Sequence, residues 1–281
     1  MRTGNALPLD LNLPVSQLGE GIHWDAQTSS LWWVDIAGKC IHRYDIEAGN
    51  HRSWSVSKEV SFVFPHTDGQ LLIGLSNGVH VFDPETGEER PVALLDLPAD
   101  HRLNDGKMDP GGRLWVGTIN TSAEPTNTAA LYLLRGDRLE EVEGGYTNAN
   151  GKAWSSEAGL MYHADTGRET IWVYDYISGE GLVANKRVFT RTAEGSPDGL
   201  EADSDGNLYA AIFGGSRVDV FSPRGDLVGR VDLPVPNVTS CCLGGPGRKT
   251  LFITTAFDGM SSGGRQKAPL SGHVFQVHLQ A

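Results

Sequence analysis

The sequence predicts an all-β protein, a six-bladed β-propeller that forms a single domain over residues 1–281. Three observations support this prediction: short apolar strand patterns, abundant turn residues and a repeat of nearly constant period. The chain holds 35 glycines and 14 prolines, and both residues interrupt regular elements, which indicates many short strands joined by turns. Helical periodicity is rare, whereas short apolar runs bounded by Gly, Asp, Asn or Pro recur along the whole chain.

The clearest strand patterns each follow a polar turn. Five of them span five residues each, and they are Leu31–Asp35, Leu71–Leu75, Leu114–Thr118, Leu208–Ile212 and Leu251–Thr255. In three repeats a further strand is predicted after the next turn, over Ile41–Asp45, Val79–Asp83 and Val218–Phe221.

One apolar residue opens each repeat and sets its phase. These anchor residues are Trp24, Phe64, Met108, Trp154, Ala202 and Leu243, with spacings of 40, 44, 46, 48 and 41 residues. A period of roughly 40–50 residues built from short strands is typical of a propeller with one four-stranded blade per repeat. A sandwich or jelly roll would not keep a constant phase. We expect Gly272–His278 to be the last strand, with the segment Leu7–Val15 beside it closing the ring.

The charge balance excludes several kinds of partner. Lysine plus arginine number 23 and aspartate plus glutamate 35, which gives a formal net charge of −12. This acidic balance argues against nucleic acid and against anionic membrane surfaces as partners. No run of 18 apolar residues exists that would span a membrane. The sequence does not indicate an oligomeric state.

The cysteines and the first residues indicate the compartment. Cys40, Cys241 and Cys242 form no even disulfide framework, which favours a reducing, cytoplasmic environment. Residues 1–10 show no basic segment followed by an apolar one, so no signal peptide is expected there.

The repeat phase also predicts a site. The position four residues before each anchor holds Glu20, Val60, Asn104, Asn150, Asp198 and Thr239. In a propeller these positions start the innermost strands and surround one end of the channel. Buried carboxylates are costly unless they are compensated, so we expect Glu20, Asn150 and Asp198 to bind a divalent cation. Oxygen donors suit calcium, magnesium or manganese, and zinc or ferrous iron also accepts carboxylates. Taken singly, Asn104, Asn150 and Asp198 also fit ordinary turn chemistry, and Glu20 between two glycines also fits a solvated loop.

Motifs in a fixed order place the chain near a known family. They are Gly19–Gly21, Val34–Ile36, Arg102–Lys107, Asp109–Pro110, Gly117–Thr118, Asn150–Gly151, Pro197–Gly199, Thr239–Cys242 and Gly244–Gly245. In these segments the sequence resembles the gluconolactonase family, which includes the calcium-handling protein regucalcin, and the similarity covers roughly residues 15 to 278.

The resemblance implies a six-bladed propeller that hydrolyses sugar lactones to sugar acids. It implies that Glu20, Asn150 and Asp198 bind one divalent metal, with calcium favoured and Zn²⁺, Mn²⁺, Mg²⁺ or Fe²⁺ as alternatives. It implies that Asp198 is also the general base. It further implies that Arg102 and Asn104 contact the substrate.

Three positions depart from the family pattern. Lys152 stands where relatives usually have an apolar residue, and a cation pointing inward there would weaken metal binding. Asn148 lies two residues before Asn150 and is an alternative ligand. Asn120 lies in the segment that often carries an acidic substrate contact in relatives, and we expect it to hydrogen-bond a sugar hydroxyl instead.

These features predict a metal-dependent lactonase whose small-molecule substrate is an aldonolactone, such as a glucono-, xylono-, arabinono- or galactonolactone. The alternative is a non-enzymatic calcium-binding regulator of the regucalcin kind that uses the same ligands. A third hypothesis is an interaction propeller whose axial ring is only structural. Acid release from lactones, measured with and without chelator, separates the first hypothesis from the other two.

Overall fold

Six antiparallel four-stranded sheets surround a central channel in the computed structural model, which describes residues 5–122, 126–155, 157 and 159–279. The innermost strands of the sheets contact one another in cyclic order, and the sixth contacts the first. This arrangement is a six-bladed β-propeller, so the predicted fold class is confirmed. The predicted domain bounds, residues 1 and 281, lie outside the described residues and stay a prediction.

Blades 1 to 5 are each a meander of four consecutive strands that runs from the channel to the rim. The strands of blade 1 are β2 (Gly19–Asp25), β3 (Ser30–Asp35), β4 (Cys40–Asp45) and β5 (Asn50–Ser55). Those of blade 2 are β6 (Val60–Pro65), β7 (Leu71–Leu75), β8 (Gly78–Phe82) and β9 (Glu89–Leu94). Those of blade 3 are β10 (His101–Met108), β11 (Leu114–Asn120), β12 (Ala129–Arg135) and β13 (Arg138–Tyr146).

The next two blades follow the same plan. Blade 4 comprises β14 (Ala149–Ser155), β15 (Leu160–Asp165), β16 (Thr170–Ile177) and β17 (Leu182–Arg191). Blade 5 comprises β18 (Ser196–Ala202), β19 (Leu208–Phe213), β20 (Arg217–Phe221) and β21 (Leu227–Asp232). The predicted second and third strands lie within one or two residues of these bounds.

Blade 6 closes the ring by joining the two ends of the described chain. It comprises β22 (Val238–Gly244), β23 (Thr250–Thr255), β24 (Phe275–His278) and, at its outer edge, β1 (Leu7–Pro8). Leu7 pairs with Gln276 and Pro8 pairs with Phe275. The N-terminal strand therefore covers the edge of the C-terminal one, as the sequence predicted, although pairing is limited to these two positions.

The connection between β23 and β24 contains α1 (Ser262–Lys267), which the strand patterns did not predict. Ser261 caps it, because its Oγ accepts a hydrogen bond of 3.1 Å from the amide of Gly264. Short 3₁₀ turns occupy Thr67–Gly69, Thr166–Arg168 and Pro246–Arg248. No helix in the described part of the chain has the length and apolar character required to cross a bilayer.

An apolar cluster fills each space between neighbouring blades. Between blades 1 and 2, for example, Val34 and Ile41 pack with Val63 and Ile73. Five equivalent clusters lie between the other pairs of blades, including blades 6 and 1. Because both faces of a blade are covered in this way, the inner strands hold their polar side chains in fixed positions toward the channel.

Each innermost strand carries a β-bulge near its start. The pairing with the second strand shifts between Glu20 and His23, Val60 and Phe62, Leu103 and Gly106, Ala149 and Lys152, Pro197 and Leu200, and Val238 and Ser240. A bulge bends its strand and redirects the side chains beside it. The six bulges fall at or next to the phase position predicted from the repeat, so they set the direction of the side chains at that position.

Candidate active site

Four residues of the predicted phase are buried at one end of the channel: Glu20 on β2, Asn104 on β10, Asn150 on β14 and Asp198 on β18. The Nδ2 of Asn150 donates to Oδ1 of Asp198 and, over 3.0 Å, to Oγ1 of Thr166. The backbone amide of Gly21 donates to Oε2 of Glu20 over 3.1 Å. Blades 1, 4 and 5 thus supply two carboxylates and an amide to one region.

The other two phase positions do not extend this polar group. Val60 is fully buried among the apolar residues between blades 1 and 2. Thr239 is also buried, and its hydroxyl donates to the carbonyl oxygen of Gly19 at 2.5 Å. It therefore joins blade 6 to blade 1 beside Glu20.

Burial dominates the electrostatics of the two acids. It raises the pKa of Glu20 to about 8, and the nearby Asp105 adds to this effect. Burial also raises the pKa of Asp198 well above its usual value, and the charge of Glu20 contributes in the same direction. Neighbouring buried carboxylates cannot all ionise at low cost without a compensating positive charge.

The donor set fits a hard divalent cation. Among the described residues, no group of three or more His, Cys, Asp and Glu side chains is placed to hold a metal. A cation at this end of the channel would therefore take Glu20, Asp198 and the amide oxygen of Asn150. Such mixed carboxylate and carbonyl donors suit calcium, magnesium or manganese, and the cation would compensate the charges that burial makes unfavourable.

Arg102 and Asn104 belong to one hydrogen-bonded network on blade 3. Nη1 of Arg102 donates to Oδ1 of Asn104 over 3.1 Å and to the carbonyl oxygen of Leu103 over 2.9 Å. Nδ2 of Asn104 in turn donates to Oδ1 of Asn148 over 2.7 Å. Asn148, the alternative metal ligand of the sequence prediction, thus serves here as the acceptor for Asn104.

Asn120 ends β11, and its register partner on β10 is His101, the neighbour of Arg102. Its Oδ1 accepts the amide of Ser122 over 2.7 Å, and its Nδ2 lies 3.3 Å from Oγ1 of Thr128. These contacts direct the side chain toward the connection between β11 and β12. A role in substrate binding stays a prediction.

Lys152, flagged by its departure from the family pattern, is fully buried in the channel. Its Nζ donates to the carbonyl oxygens of Asp105, over 2.7 Å, and Asn150, over 2.8 Å. It also lies 3.4 Å from Oδ2 of Asp105. The ammonium group therefore holds the backbone of Asn150 and is paired with an acid next to the two candidate ligands.

Asp105 is the residue of this region that the sequence reasoning missed. It follows Asn104 directly, in an Asn-Asp-Gly segment that fits an ordinary turn. Its charge raises the pKa values of both Glu20 and Asp198. The one sequence feature that could have identified Asp105 is its place directly after the phase position. Only the fold shows that its partner is Lys152.

A second ion-pair network occupies the opposite end of the channel. Nζ of Lys107 lies 2.6 Å from Oε2 of Glu201, and Nη2 of Arg248 lies 2.5 Å from Oε1 of the same carboxylate. A cavity of about 200 Å³ opens there, beside these three side chains. Because each of these charges is already paired, the described residues at this end form no polar group resembling that of Glu20, Asn150 and Asp198.

Comparison with known families agrees with the motifs. A family model described as "SMP-30/Gluconolactonase/LRE-like region" matches residues 18–257, which include every predicted site residue. The chain belongs to this family. The resemblance inferred from the sequence motifs is thereby confirmed.

Individual relatives share most of their length with this chain. The putative sugar lactone lactonase YvrE of Bacillus subtilis is 34% identical over 94% of this chain and 91% of its own. The pentonolactonase XacC of Haloferax volcanii is 34% identical over 94% and 92%, respectively. A solved structure of a calcium-binding protein, regucalcin, from Agrobacterium tumefaciens has a TM-score of 0.91 and 25% identity, and covers 99% of this chain and 96% of that one.

Proposed function

We propose that this protein is a metal-dependent sugar lactonase that hydrolyses an aldonolactone to the sugar acid. The observation that carries the proposal is the burial of Glu20, Asn150 and Asp198 at one end of the channel, next to Arg102 and Asn104. The names of the relatives point to a lactone-hydrolysing enzyme, a carboxylic-ester hydrolase, which is the class that the sequence predicted.

Glu20, Asn150 and Asp198 would hold one divalent cation. The calcium-binding description of the Agrobacterium relative favours calcium. The Asn150 amide now directs its Nδ2 toward Asp198, so it would have to turn to offer its oxygen to a cation. When bound, the cation supplies a Lewis acid that polarises the lactone carbonyl.

The residues around this region suit the remaining needs of lactone hydrolysis. The carboxylate of Asp198 accepts a proton from the attacking water and later returns it to the ring oxygen as the ester bond breaks. A bound cation would favour the deprotonated form of Asp198, which is the form that accepts the proton. A metal-bound carboxylate is a weaker base, so a second water would relay the proton if Asp198 acts mainly as a ligand.

Arg102 and Asn104 would orient the substrate. The guanidinium group of Arg102 donates to Asn104, and Asn104 donates to Asn148, so each side chain is held by the next. Positioned donors of this kind bind sugar hydroxyls and align the carbonyl for attack. We assign Asn120 to the same substrate-contacting group. Glucono-, xylono-, arabinono- and galactonolactones are the candidate substrates.

We further propose that the chain is a single domain and acts in the cytoplasm. All three cysteines are free thiols, and Cys241 and Cys242 are buried. Free buried thiols are typical of a reducing compartment.

Acid release from the four aldonolactones tests the proposal. We expect turnover that stops with chelator and returns with one of the candidate metals. Asp198→Asn and Glu20→Gln should each lower kcat/KM by roughly 10³-fold or more, because each removes a metal ligand and Asp198 is also the base. Asp205→Asn, at an exposed aspartate, is the matched control. Wild-type rates in both site variants after chelation and metal reloading would contradict the proposal.

A calcium-binding regulator is the second candidate, because a relative with the same fold carries the regucalcin name. It would need the three metal ligands but not the network of Arg102 and Asn104. Calcium binding by calorimetry without turnover of any lactone would favour this function. Loss of turnover in Arg102→Gln, with calcium binding retained, would favour the lactonase.

A further inference from the structure

A cleft between blades 1 and 2 lies apart from the residues assigned to the lactonase. Its volume is about 490 Å³, and strands β3, β4 and β5 form one wall. The residues that matter here are Trp32, Arg43, Arg52, Trp54 and Glu85. A volume of this size is typical of small-molecule sites.

Two arginines lie side by side in this cleft. Arg43 on β4 is the register partner of Arg52 on β5, so both side chains lie on the same face of blade 1. Like charges in directly opposed positions destabilise a sheet. Among the described residues, neither guanidinium forms an ion pair with an acid within 4.0 Å. Asp25 and Glu85 also line the cleft, but neither forms an ion pair with these arginines in the described structure. Both guanidinium groups are therefore available to an anionic group of a ligand.

Arg43 is held in place by neutral groups. Its Nε and Nη2 lie 3.2 Å and 3.0 Å from Oγ of Ser30. Its guanidinium also lies 5.5 Å from the centre of the Trp32 ring. Arg52 is exposed, and its guanidinium forms no hydrogen bond or ring contact of this kind with the described residues. One arginine is therefore positioned in advance, and the other is free to close on a bound anion.

Two tryptophans form an aromatic surface beside the arginines. The rings of Trp32 and Trp54 are stacked, with centres 5.8 Å apart. Trp54 donates from Nε1 to the carbonyl oxygen of Pro84 over 3.1 Å. Trp32 is only 6% exposed, yet its Nε1 has no hydrogen-bond partner in the described structure. Because this nitrogen is itself buried, Trp54, which is half-buried, is the ring that a ligand in the cleft can contact.

We propose that this cleft binds a small anionic carbohydrate, either a sugar acid or a sugar phosphate. Arg43 and Arg52 bind its carboxylate or phosphate, and the carbon face of the sugar packs against the ring of Trp54. Asp25 and Glu85, which also line the cleft, accept from sugar hydroxyls. A neutral sugar would offer the two guanidinium groups no anionic partner. This binding does not depend on the lactonase activity.

Isothermal titration calorimetry with gluconate, glucose 6-phosphate, glucose and inorganic phosphate tests the proposal and separates its two ligand sources. We expect gluconate or glucose 6-phosphate to bind at least 10-fold more tightly than glucose and inorganic phosphate. Arg52→Gln should weaken this binding at least 10-fold. Arg138→Gln, at an exposed arginine on blade 3, is the matched control and should bind as the wild type does. Arg52 is exposed, and its replacement removes the like-charge repulsion with Arg43, so the variant should melt at no lower temperature than the wild type.

The active site is tested separately with Asp198→Asn. This variant should bind gluconate or glucose 6-phosphate in the cleft as the wild type does. Arg52→Gln should hydrolyse lactones as the wild type does. Equal affinity of wild type and Arg52→Gln for the anionic sugar would overturn the proposal. So would the absence of binding by both anionic sugars at millimolar concentration, even if lactone turnover is observed.

Discussion

At the scale of single residues, the candidate site is a problem of buried charge. Glu20, Asp105 and Asp198 influence one another electrostatically, whereas Lys152 and Arg102 are the cations beside them. Lys152 does not occupy the place of a metal, because its ammonium group is bound to the backbone oxygens of Asp105 and Asn150. The sequence predicted that a cation at position 152 would weaken metal binding. In the structure Lys152 is instead paired with Asp105.

This arrangement predicts how the stability of the metal-free protein depends on pH. Glu20 has a pKa of about 8 in the folded state against 4.5 as its ordinary value. Between these two values the folded protein binds more protons than the unfolded chain, so the free energy of unfolding decreases as pH rises through this window. Asp198 acts in the same direction. Urea unfolding in the presence of chelator, at several pH values between 4.5 and 8, measures this slope.

Glu20→Gln serves as the comparison, because it removes one of the two raised groups and should flatten the slope. Saturation with the bound metal should oppose the same slope, since a metal selects the deprotonated ligands. A metal-free wild type that becomes more stable as pH rises across this window, with no difference in Glu20→Gln, would contradict the account of the buried acids.

At the scale of single elements, the β-bulges and glycines of the inner strands set the position of the site. Gly151 follows Asn150 in the bulge of β14, and a Cβ there would lie 2.1 Å from the carbonyl oxygen of Asp198 on β18. Only glycine allows blades 4 and 5 to approach so closely. The contact brings the two candidate ligands together, so packing between elements and site geometry depend on the same residue.

Gly151→Ala should therefore separate β14 from β18. We expect a loss of about 1–3 kcal/mol in the free energy of unfolding, as for other overpacked positions, together with weaker metal binding and lower lactonase activity. Gly263→Ala is the control, because a Cβ at this exposed position in α1 meets no atom within 4 Å. Chemical unfolding and metal titration of both variants check the expectation. Unchanged metal affinity in Gly151→Ala would show that this contact does not position the ligands.

At the scale of the whole molecule, β1 closes the ring by pairing with β24. The backbone amide of Leu9 extends this contact, donating to the carbonyl oxygen of Val274 over 2.8 Å. Ala6 is buried in the cluster between blades 5 and 6, together with Phe275 and Val277. Closure through strand pairing covers the edge of β24 and ties the last blade to the start of the chain.

A variant that begins at Asp10 lacks β1 and should melt at a lower temperature. Loss of the pairing and of Ala6 should cost about 2–4 kcal/mol, which corresponds to a decrease of about 4–16 °C for a domain of this size. Leu7→Ala is the control, because the Leu7 side chain is 65% exposed and the backbone pairing survives the change. Differential scanning calorimetry distinguishes the two variants, and equal melting temperatures would contradict a stabilising role for the closure.

Much of the fold and part of the site could be predicted because both depend on local order along the chain. The repeat phase led to Glu20, Asn104, Asn150 and Asp198 before any contact was known, and the structure places all four on innermost strands. The phase could not predict that Asn148 accepts from Asn104, since Asn148 precedes β14 and its partner lies 44 residues away. It also could not predict α1, whose glycines and serines carry no apolar periodicity.

The sequence by itself determined the number of blades, many of their inner strands and four of the polar residues that meet at the channel, because a constant period repeats the same local geometry around an axis. Only the tertiary structure decided the partners of the charged groups. Lys152 on blade 4 pairs with Asp105 on blade 3, 47 residues away. Arg43 and Arg52 form no ion pair in the described structure, although Asp25 and Glu85 line the same cleft. Such pairings depend on distances between side chains of different blades, and the order of residues along the chain does not encode those distances in any local pattern.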